Sequence, residues 1–498
     1  MNLLPQLPID PEETLLSYTD RLSVMHTGHG MDRLLKDLGI HKDHFVSGRP
    51  DTVTALADAT GHSGHELEAT AIRVFLRASS FRGHEMSKTF LSPRASRYCP
   101  ICLAEDGEKN DRRFRLLWGF RHVVRCDLHS ILLETAPVAN GTNLRVSLDG
   151  APLAKPFVAD AIEPEYLRWL RNRLHDTSYY EDSWMNDQTT EQVLAAAEML
   201  GAILEHGHRV AVTKLTSAQT EEATDIGFSI YQEGPKAVEE ALDTIRQTSP
   251  AKAVQAGALA HYGKLFDWLD RRSNAVDPGP IRDILRDHIV KHSAVEPGTT
   301  VLGVEINKRR FHTVYSLSSE VGIEYRRLSR LLKSLGQVPE HATEVESGNM
   351  VFDAAKAVPL IQSFKTAVPL MKVPEYVGAS KGQVEVLYRA GVLKPLIPRT
   401  GPRSVRQVVF ARQHLDDFLG KISTLPEFTP ENFNNIHPIA YACQRGAGPF
   451  EKVFDEIMSG SIPSFRHPEK IGVRAIYVNI SDALAVKILA SIRDTVDG

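Results

Sequence analysis

Apolar residues recur at helical spacing through most of this chain. The first run places Leu15, Tyr18, Leu22 and Met25 on one face. Asp10-Pro11-Glu12-Glu13 before it reads as a helix start, with Asp at the N-cap, Pro in the first helical position and acid in the first turn. A second helix carries Leu34, Leu35 and Leu38 and stops at Gly39. Val53 to Thr60 then runs into Gly61-His62-Ser63, and helix is expected to resume through Leu67, Ala71 and Val74. Residues 1–90 thus form a helical module with a helix-turn-helix outline, a pattern shared by hairpins that merely pack. Residues 151–300 are patterned in the same way, as in Glu165 to Leu170, Val193 to Leu200 and Tyr262 to Leu269. An α-helical scaffold is expected there, and no His, Asp or Glu cluster in it stands out by metal or acid–base spacing.

Towards the C-terminus the pattern repeats. Leu317, Val321, Gly322, Ile323, Leu328 and Leu331 recur at one constant offset as Val373, Val377, Gly378, Ala379, Val384 and Leu387. In each copy an apolar pair at i, i+4 marks a first helix, Gly permits a tight turn, and a second helix packs through its own apolar positions. Gly336 and Gly391 are placed to end the second helices. A strand follows each copy, near Met350-Val351-Phe352 and Val408-Val409-Phe410, which predicts the wing of a winged helix, with Thr400 to Arg403 as its turn in the second copy. A weaker third copy is expected from Ile439 through Ile457 and Gly460, with Cys443 as a buried structural thiol. The fold class is therefore mainly α and multidomain: 1–90 helical, 91–150 metal-binding, 151–300 scaffold, 301–366 and 367–428 winged-helix-like, and 429–498 a C-terminal module.

Composition is that of a globular protein, at 42% hydrophobic and 24% charged residues. Met1 to Pro5 has neither a basic nor an apolar signal region, and no run of apolar residues is long enough to span a membrane, so a cytoplasmic protein with no membrane partner is expected. The net charge of −4 makes no global case for nucleic acid, but the local distribution does. Residues 381–412 carry Lys381, Arg389, Lys394, Arg399, Arg403, Arg406 and Arg412 against Glu385 alone. Residues 303–333 carry Lys308, Arg309, Arg310, Arg326, Arg327, Arg330 and Lys333 against three acids. Such a local excess suits double-stranded DNA. A recognition helix would turn Ser380, Lys381 and Gln383 to base edges and leave Arg389, Arg399, Arg403 and Arg406, with Arg326, Arg327 and Arg330 of the first copy, for phosphate or groove contacts. The competing reading is a solvated basic face on a protein-binding winged helix.

The sharpest chemistry lies at Cys99, Cys102, Cys126 and His129. Cys-x2-Cys and Cys-x2-His pairs each let two side chains grip one ion, and a closed set of thiolate and imidazole ligands predicts one structural Zn2+. Phe114, Leu116, Leu117, Trp118 and Phe120 lie between the pairs and are expected to pack the metal knuckles onto a neighbour, with Trp118 in the core.

The opening Asp10 to Leu22, the box Arg97 to Asp106, Leu117-Trp118 and Cys126-Asp127-Leu128-His129 with Leu132-Leu133 together resemble the TniQ/TnsD family of transposon target-selection proteins. The likeness covers residues 1–135, and Tyr262-Gly263-Lys264-Leu265 with Trp268-Leu269 extends it weakly. The resemblance implies a non-enzymatic adaptor that recognises a target as a DNA site or through a partner, including a guide-bearing complex, and recruits an AAA+ regulator and a transposase. Many members carry a further cysteine pair after the His ligand; this chain has no cysteine between Cys126 and Cys443.

Enzymatic readings lack their signatures. A zinc deaminase needs His-x-Glu and Pro-Cys-x-x-Cys, whereas here Pro100 follows Cys99, and His65-Glu66 and His84-Glu85 are adjacent pairs. No His-Glu-x-x-His and no phosphate-binding Gly-rich Lys-Ser/Thr loop occurs. The alternative that remains is a stand-alone zinc-containing helix-turn-helix transcriptional regulator.

Overall fold

In the computed structural model, which describes residues 3–94, 96–138, 144–155, 162–175, 183–251, 256–271, 276–348, 350–397, 408–427 and 435–496, the first helix α1 (Leu15–Thr27) starts at Thr14. The Thr14 hydroxyl accepts from the Ser17 N–H. Asp10, the expected cap, accepts instead from the Glu12 N–H at 3.0 Å and ion-pairs with Arg113 and Arg115 at 2.6 and 3.3 Å. Pro11 and Glu12 form a turn closed by Glu13 N–H on Asp10 O, with Glu13 bridged to Arg115 and Leu116 N–H donating to Glu12 O.

Four further helices follow: α2 (Met31–Asp37), α3 (Lys42–Val46), α4 (Pro50–Thr60) and α5 (Gly64–Glu68). Gly39 and Gly61 sit at positive φ behind α2 and α4. The expected continuation of helix through Ala71 and Val74 is corrected. A Ser63–Glu66 capping box opens α5, which ends after five residues, and β1 (Arg73–Val74), β2 (Ala78–Phe81) and β3 (His84–Ser87) form an antiparallel sheet. Arg73 pairs with Ser80 and Val74 with Ser79; ladder bonds across the sheet outcompeted local helix in this stretch. With α5 little longer than one turn, the α4–α5 hairpin is a packing unit over Leu56 and Leu67.

The chain continues through β4 (Arg97–Tyr98), α6 (Pro100–Glu105), β5 (Glu134–Thr135), α7 (Leu144–Ser147), α8 (Glu165–Leu174), α9 (Thr190–His206), α10 (Ser217–Gln232), α11 (Pro235–Thr248), α12 (Ala258–Arg271) and α13 (Ile281–His292), then the hairpin β6 (Thr299–Val301) and β7 (Val304–Ile306). Met1–His292 with Pro297–Asn307 forms one compact unit. Helices α9 and α10 cross at Gly201 and Gly227, where a Cβ on either would meet a backbone carbonyl of the other at 1.8 Å. Only glycine at both positions allows that approach.

The second unit, Ser293–Glu296 and Lys308–Gly498, repeats one plan. Each copy has a strand, a helix, a turn, a second helix, a strand returning antiparallel to the first, and a closing helix. The first comprises β8 (Phe311–Thr313), α14 (Val314–Val321), α15 (Tyr325–Ser334), the short α16 (Glu344–Gly348), β9 (Val351–Asp353) and α17 (Ala354–Lys365). The second comprises β10 (Val368–Pro369), α18 (Val373–Tyr376), α19 (Lys381–Arg389), β11 (Val409–Phe410) and α20 (Arg412–Ser423). The third comprises β12 (Ile436–Pro438), α21 (Ile439–Ala442), α22 (Phe450–Met458), β13 (Ser464–Arg466), β14 (Ile476–Asn479) and α23 (Ile480–Val496), with strand order β12-β14-β13. The copy with the weakest sequence signal thus has the fullest sheet.

The repeat positions do what their spacing predicts. Leu317, Val321, Leu328 and Leu331, and Val373, Val377, Ala379, Val384 and Leu387, are buried. Gly322 and Gly378 adopt positive φ in the turns, and Gly336, Gly391 and Gly460 do so behind the second helices. Cys443 is half-buried against the shared core of copies two and three, and burial pushes its thiol pKa up. The fold is mainly α, 53% helical with small sheets, and no helix among the described residues is long and apolar enough to cross a membrane.

Candidate metal centre and nucleic-acid face

The two-residue strands β4 and β5 bracket the metal-ligand pairs and pair Arg97 with Thr135 and Tyr98 with Glu134. Cys99 follows β4 directly and caps α6, with Pro100 in the first helical position. Cys102, one turn in, points its N–H at Cys99 Sγ at 3.5 Å. The second pair sits on a tight loop: Cys126 N–H donates to Ile131 O, Ser130 N–H donates to Cys126 O, and Ser130 takes a positive φ of 55°. Helix start and loop together bring the four side chains to one point.

All four are buried. Cys102 Sγ lies 3.6 Å from Cys126 Sγ, and His129 Nδ1 lies 3.6, 3.3 and 3.7 Å from the sulfurs of Cys99, Cys102 and Cys126. Bonds of about 2.3 Å to sulfur and about 2.0 Å to nitrogen around tetrahedral zinc separate neighbouring ligands by roughly 3.5–3.8 Å. No disulfide forms among these cysteines. Hydrogen bonds from Cys102 and Cys126 favour a thiolate at Cys99, lowering its pKa to about 2. The same crowding works against further thiolates: its bonds with Cys126 and Cys99 push Cys102 up, and Cys126, eased by Cys102 but opposed by Cys99 and burial, is raised to about 12. Three thiolates in this space require a cation. His129 Nε2 is held by the Glu105 carboxylate at 3.0 Å, the outer contact that fixes an imidazole ligand's orientation. Glu105 lies one helical turn beyond Cys102, inside the box from Arg97 to Asp106, where the sequence did not mark it as a contact of the histidine.

The connection between the pairs is core. Trp118 and Phe114 are fully buried and meet edge-on with centroids 5.5 Å apart. The Arg97 guanidinium donates to Phe120 O at 2.5 Å and Arg121 O at 3.1 Å. Thr14 N–H donates to Phe114 O, and Phe114 N–H donates to Ser17 Oγ. Glu13, fully buried, takes the Arg21 guanidinium at 2.7 Å and the Ser17 hydroxyl at 2.5 Å. The acid, serine and arginine of the opening therefore have structural work, and they lock α1 onto the metal-binding segment. Further polar ties run to the helical bundle: Arg121 and His122 hold Glu198 at 2.6 and 2.9 Å, and Arg125 holds Glu221.

A model of the TniQ family matches residues 4–133. This segment resembles a TniQ region. Its two parts, the opening from Leu4 and the metal-binding segment to Leu133, are joined by the Asp10–Arg113 and Asp10–Arg115 ion pairs and by the Phe114–Ser17 hydrogen bond, so the matched stretch is one folded piece. The match suggests a transposition-associated protein. No curated protein matches the chain. The Cys99, Cys102, Cys126 and His129 quartet of the TniQ region can bind a zinc-like ion.

The residues expected at DNA fall into three groups. Arg399, Arg403 and Arg406, with the turn from Thr400 to Arg403, lie outside the described residues. Ser380 and Gln383 are tied to each other as the capping box of α19, the Ser380 hydroxyl accepting from Gln383 N–H and the Gln383 amide oxygen from Ser380 N–H. Both line a groove with Ala440, Cys443 and Phe450 of the third copy. The turn ahead of them is covered: a Cβ on Gly378 would lie 2.0 Å from Ile471 O, and Val473 and Arg474 donate their N–H groups to Val377 O and Gly378 O. Lys381 is exposed, and Arg389 is exposed but paired with Glu385 at 3.0 Å.

The first copy differs. Its turn glycine, Gly322, has nothing within 4 Å of a built Cβ. Arg326, Arg327 and Arg330 are exposed on α15, and among the described residues no carboxylate ion-pairs with them. Glu324 caps this helix through the N–H groups of Arg326 and Arg327, and those bonds hold its carboxyl below the usual range.

Proposed function

We propose that this protein is a DNA-binding target-selection adaptor for transposition, which brings an AAA+ regulator and a transposase to a target site. The TniQ region carries the adaptor assignment. The helix-turn-helix copies of the second unit supply the DNA-binding part, with Zn2+ as a structural ion at Cys99, Cys102, Cys126 and His129. Within the second unit the first copy is the favoured reader. Its turn is open and its second helix presents three arginines, whereas the turn of the second copy is packed under residues 471–474. Arg326, Arg327 and Arg330 are assigned to phosphate or base contacts, Lys381 and Arg389 to flanking phosphates, and Ser380 and Gln383 to helix capping.

Two measurements test this reading. In DNA binding with the full chain, replacing Arg326, Arg327 and Arg330 by Ala should lower the slope of log K against log salt by about 1 per lost phosphate contact, while Arg389→Ala changes it less. Equal slopes for the triple variant and the parent sink the DNA assignment. Co-purification with an AAA+ ATPase and a transposase encoded beside the gene tests the adaptor role, and flanking genes without either would favour the stand-alone regulator.

A further inference from the structure

Away from the cysteine site, α11 and α13 bring a second set of metal-ligand side chains together. His288 and His292 stand one turn apart on α13, and Asp243 faces them from α11. Both Nε2 atoms converge on the same carboxylate oxygen: Asp243 Oδ1 lies 3.2 Å from His288 and 3.5 Å from His292. The imidazole rings are tilted against each other with centroids 4.4 Å apart. His288 is buried, and its Nδ1 lies 2.8 Å from the Tyr262 hydroxyl. Tyr262 is held in place by the break in α12 at Gly263, whose φ of 53° lets the backbone rest on His208 O. His292 Nε2 is buried and makes no hydrogen bond.

A simple hydrogen-bond network accounts poorly for this. Charge-assisted N–H to carboxylate bonds run at about 2.7–2.9 Å, shorter than either approach, and His292 gains no bond from its position. Ligands bound at about 2.0–2.1 Å to a tetrahedral ion stand roughly 3.3–3.4 Å apart, between the two observed distances. The Tyr262 hydroxyl on Nδ1 is the outer contact that orients an imidazole ligand.

We propose that Asp243, His288 and His292 form a second divalent-metal site of the zinc class, with three protein ligands and an open fourth position for water. The site clamps α11 to α13. It holds its ion less tightly than the cysteine quartet, since it has one anion in place of three thiolates.

Tag-free full-length protein, stripped with a chelator weak enough to leave the cysteine site loaded, is titrated with Zn2+ and, separately, with Co2+. The expected result is one further equivalent per chain, a rise in Tm on saturation, and a cobalt spectrum with weak visible bands and no thiolate charge transfer. Asp243→Asn and His292→Gln should each abolish that equivalent and keep the first, with circular dichroism reporting their folding. A parent protein that takes up no second equivalent overturns the proposal. So does a second equivalent that survives both substitutions or carries thiolate charge transfer. If a variant fails to fold, the stoichiometry and cobalt spectrum of the parent decide.

Discussion

Replacing Cys126 by Ser removes one thiolate from the quartet at almost constant volume, and the consequence can be scaled. Structural zinc sites bind with about 10–16 kcal/mol at neutral pH, whereas a whole domain is stable by about 5–15 kcal/mol. Loss of the ion is therefore comparable to the entire stability of the segment around it. Four buried ligands lose their common partner, and the loop carrying Trp118 and Phe114 loses the anchor at both ends. The strands β4 and β5 that close it are two residues each, and its remaining ties include side-chain bonds to Asp10, Ser17, Arg97 and Glu198. Cys126→Ser is thus expected to lose the tightly held zinc equivalent, to lose near-ultraviolet circular dichroism from the Trp118–Phe114 pair, and to expose residues 107–125 to limited proteolysis. The helical bundle, joined to this segment through Glu198 and Glu221, should keep most of its far-ultraviolet signal. A zinc-free variant with the parent's near-ultraviolet spectrum and protease resistance would refute the argument.

Two further outcomes follow from particular contacts. Burial opposes the charge of Glu198, but His122 and then Arg121 prevail and hold its carboxyl below the usual range. Its contribution is therefore complete above the ordinary carboxylate pKa and is lost as pH falls through the depressed value; Glu198→Gln should cost about 3 kcal/mol at neutral pH, and denaturant melts into the acid range should show the gap closing. Gly322 and Gly378 share a positive φ but not their surroundings, so Gly322→Ala should cost only about 1–2 kcal/mol for the left-handed backbone. Gly378→Ala adds the clash with Ile471 O and should cost at least about 1–3 kcal/mol more; equal midpoints in denaturant would contradict the packing of that turn.

The local rules of the sequence carried far. Cys99, Cys102, Cys126 and His129 were legible because ligand spacing within each pair is set by one turn of chain. The helix-turn-helix repeat was legible because Leu317 and Val321, or Val373 and Val377, bury one helical face, and glycine alone suits the left-handed turn. Local rules failed where a distant partner intervened. Asp10 had the form of an N-cap but was taken by Arg113 and Arg115, leaving the cap to Thr14. Val74 fitted a helical face but joined a sheet with Ser79. Asp243, His288 and His292 did not stand out in the sequence, because Asp243 comes from another helix and meets the two histidines only in the fold.

The sequence by itself determined the Cys99, Cys102, Cys126 and His129 cluster, the mainly helical class, the repeated apolar positions and the likeness of residues 4–133 to the TniQ family, since each depends on spacing along the chain. Which helix-turn-helix is open was decided by tertiary structure alone. Identical turn glycines were sorted by what packs on them, Ile471 and Gly472 against Gly378 and nothing against Gly322. The union of the opening helix with the metal-binding segment, through Asp10 on Arg113 and Arg115 and Ser17 on Phe114, was likewise settled by packing. Burial of charge is a property of the folded neighbourhood, and no spacing rule encodes it.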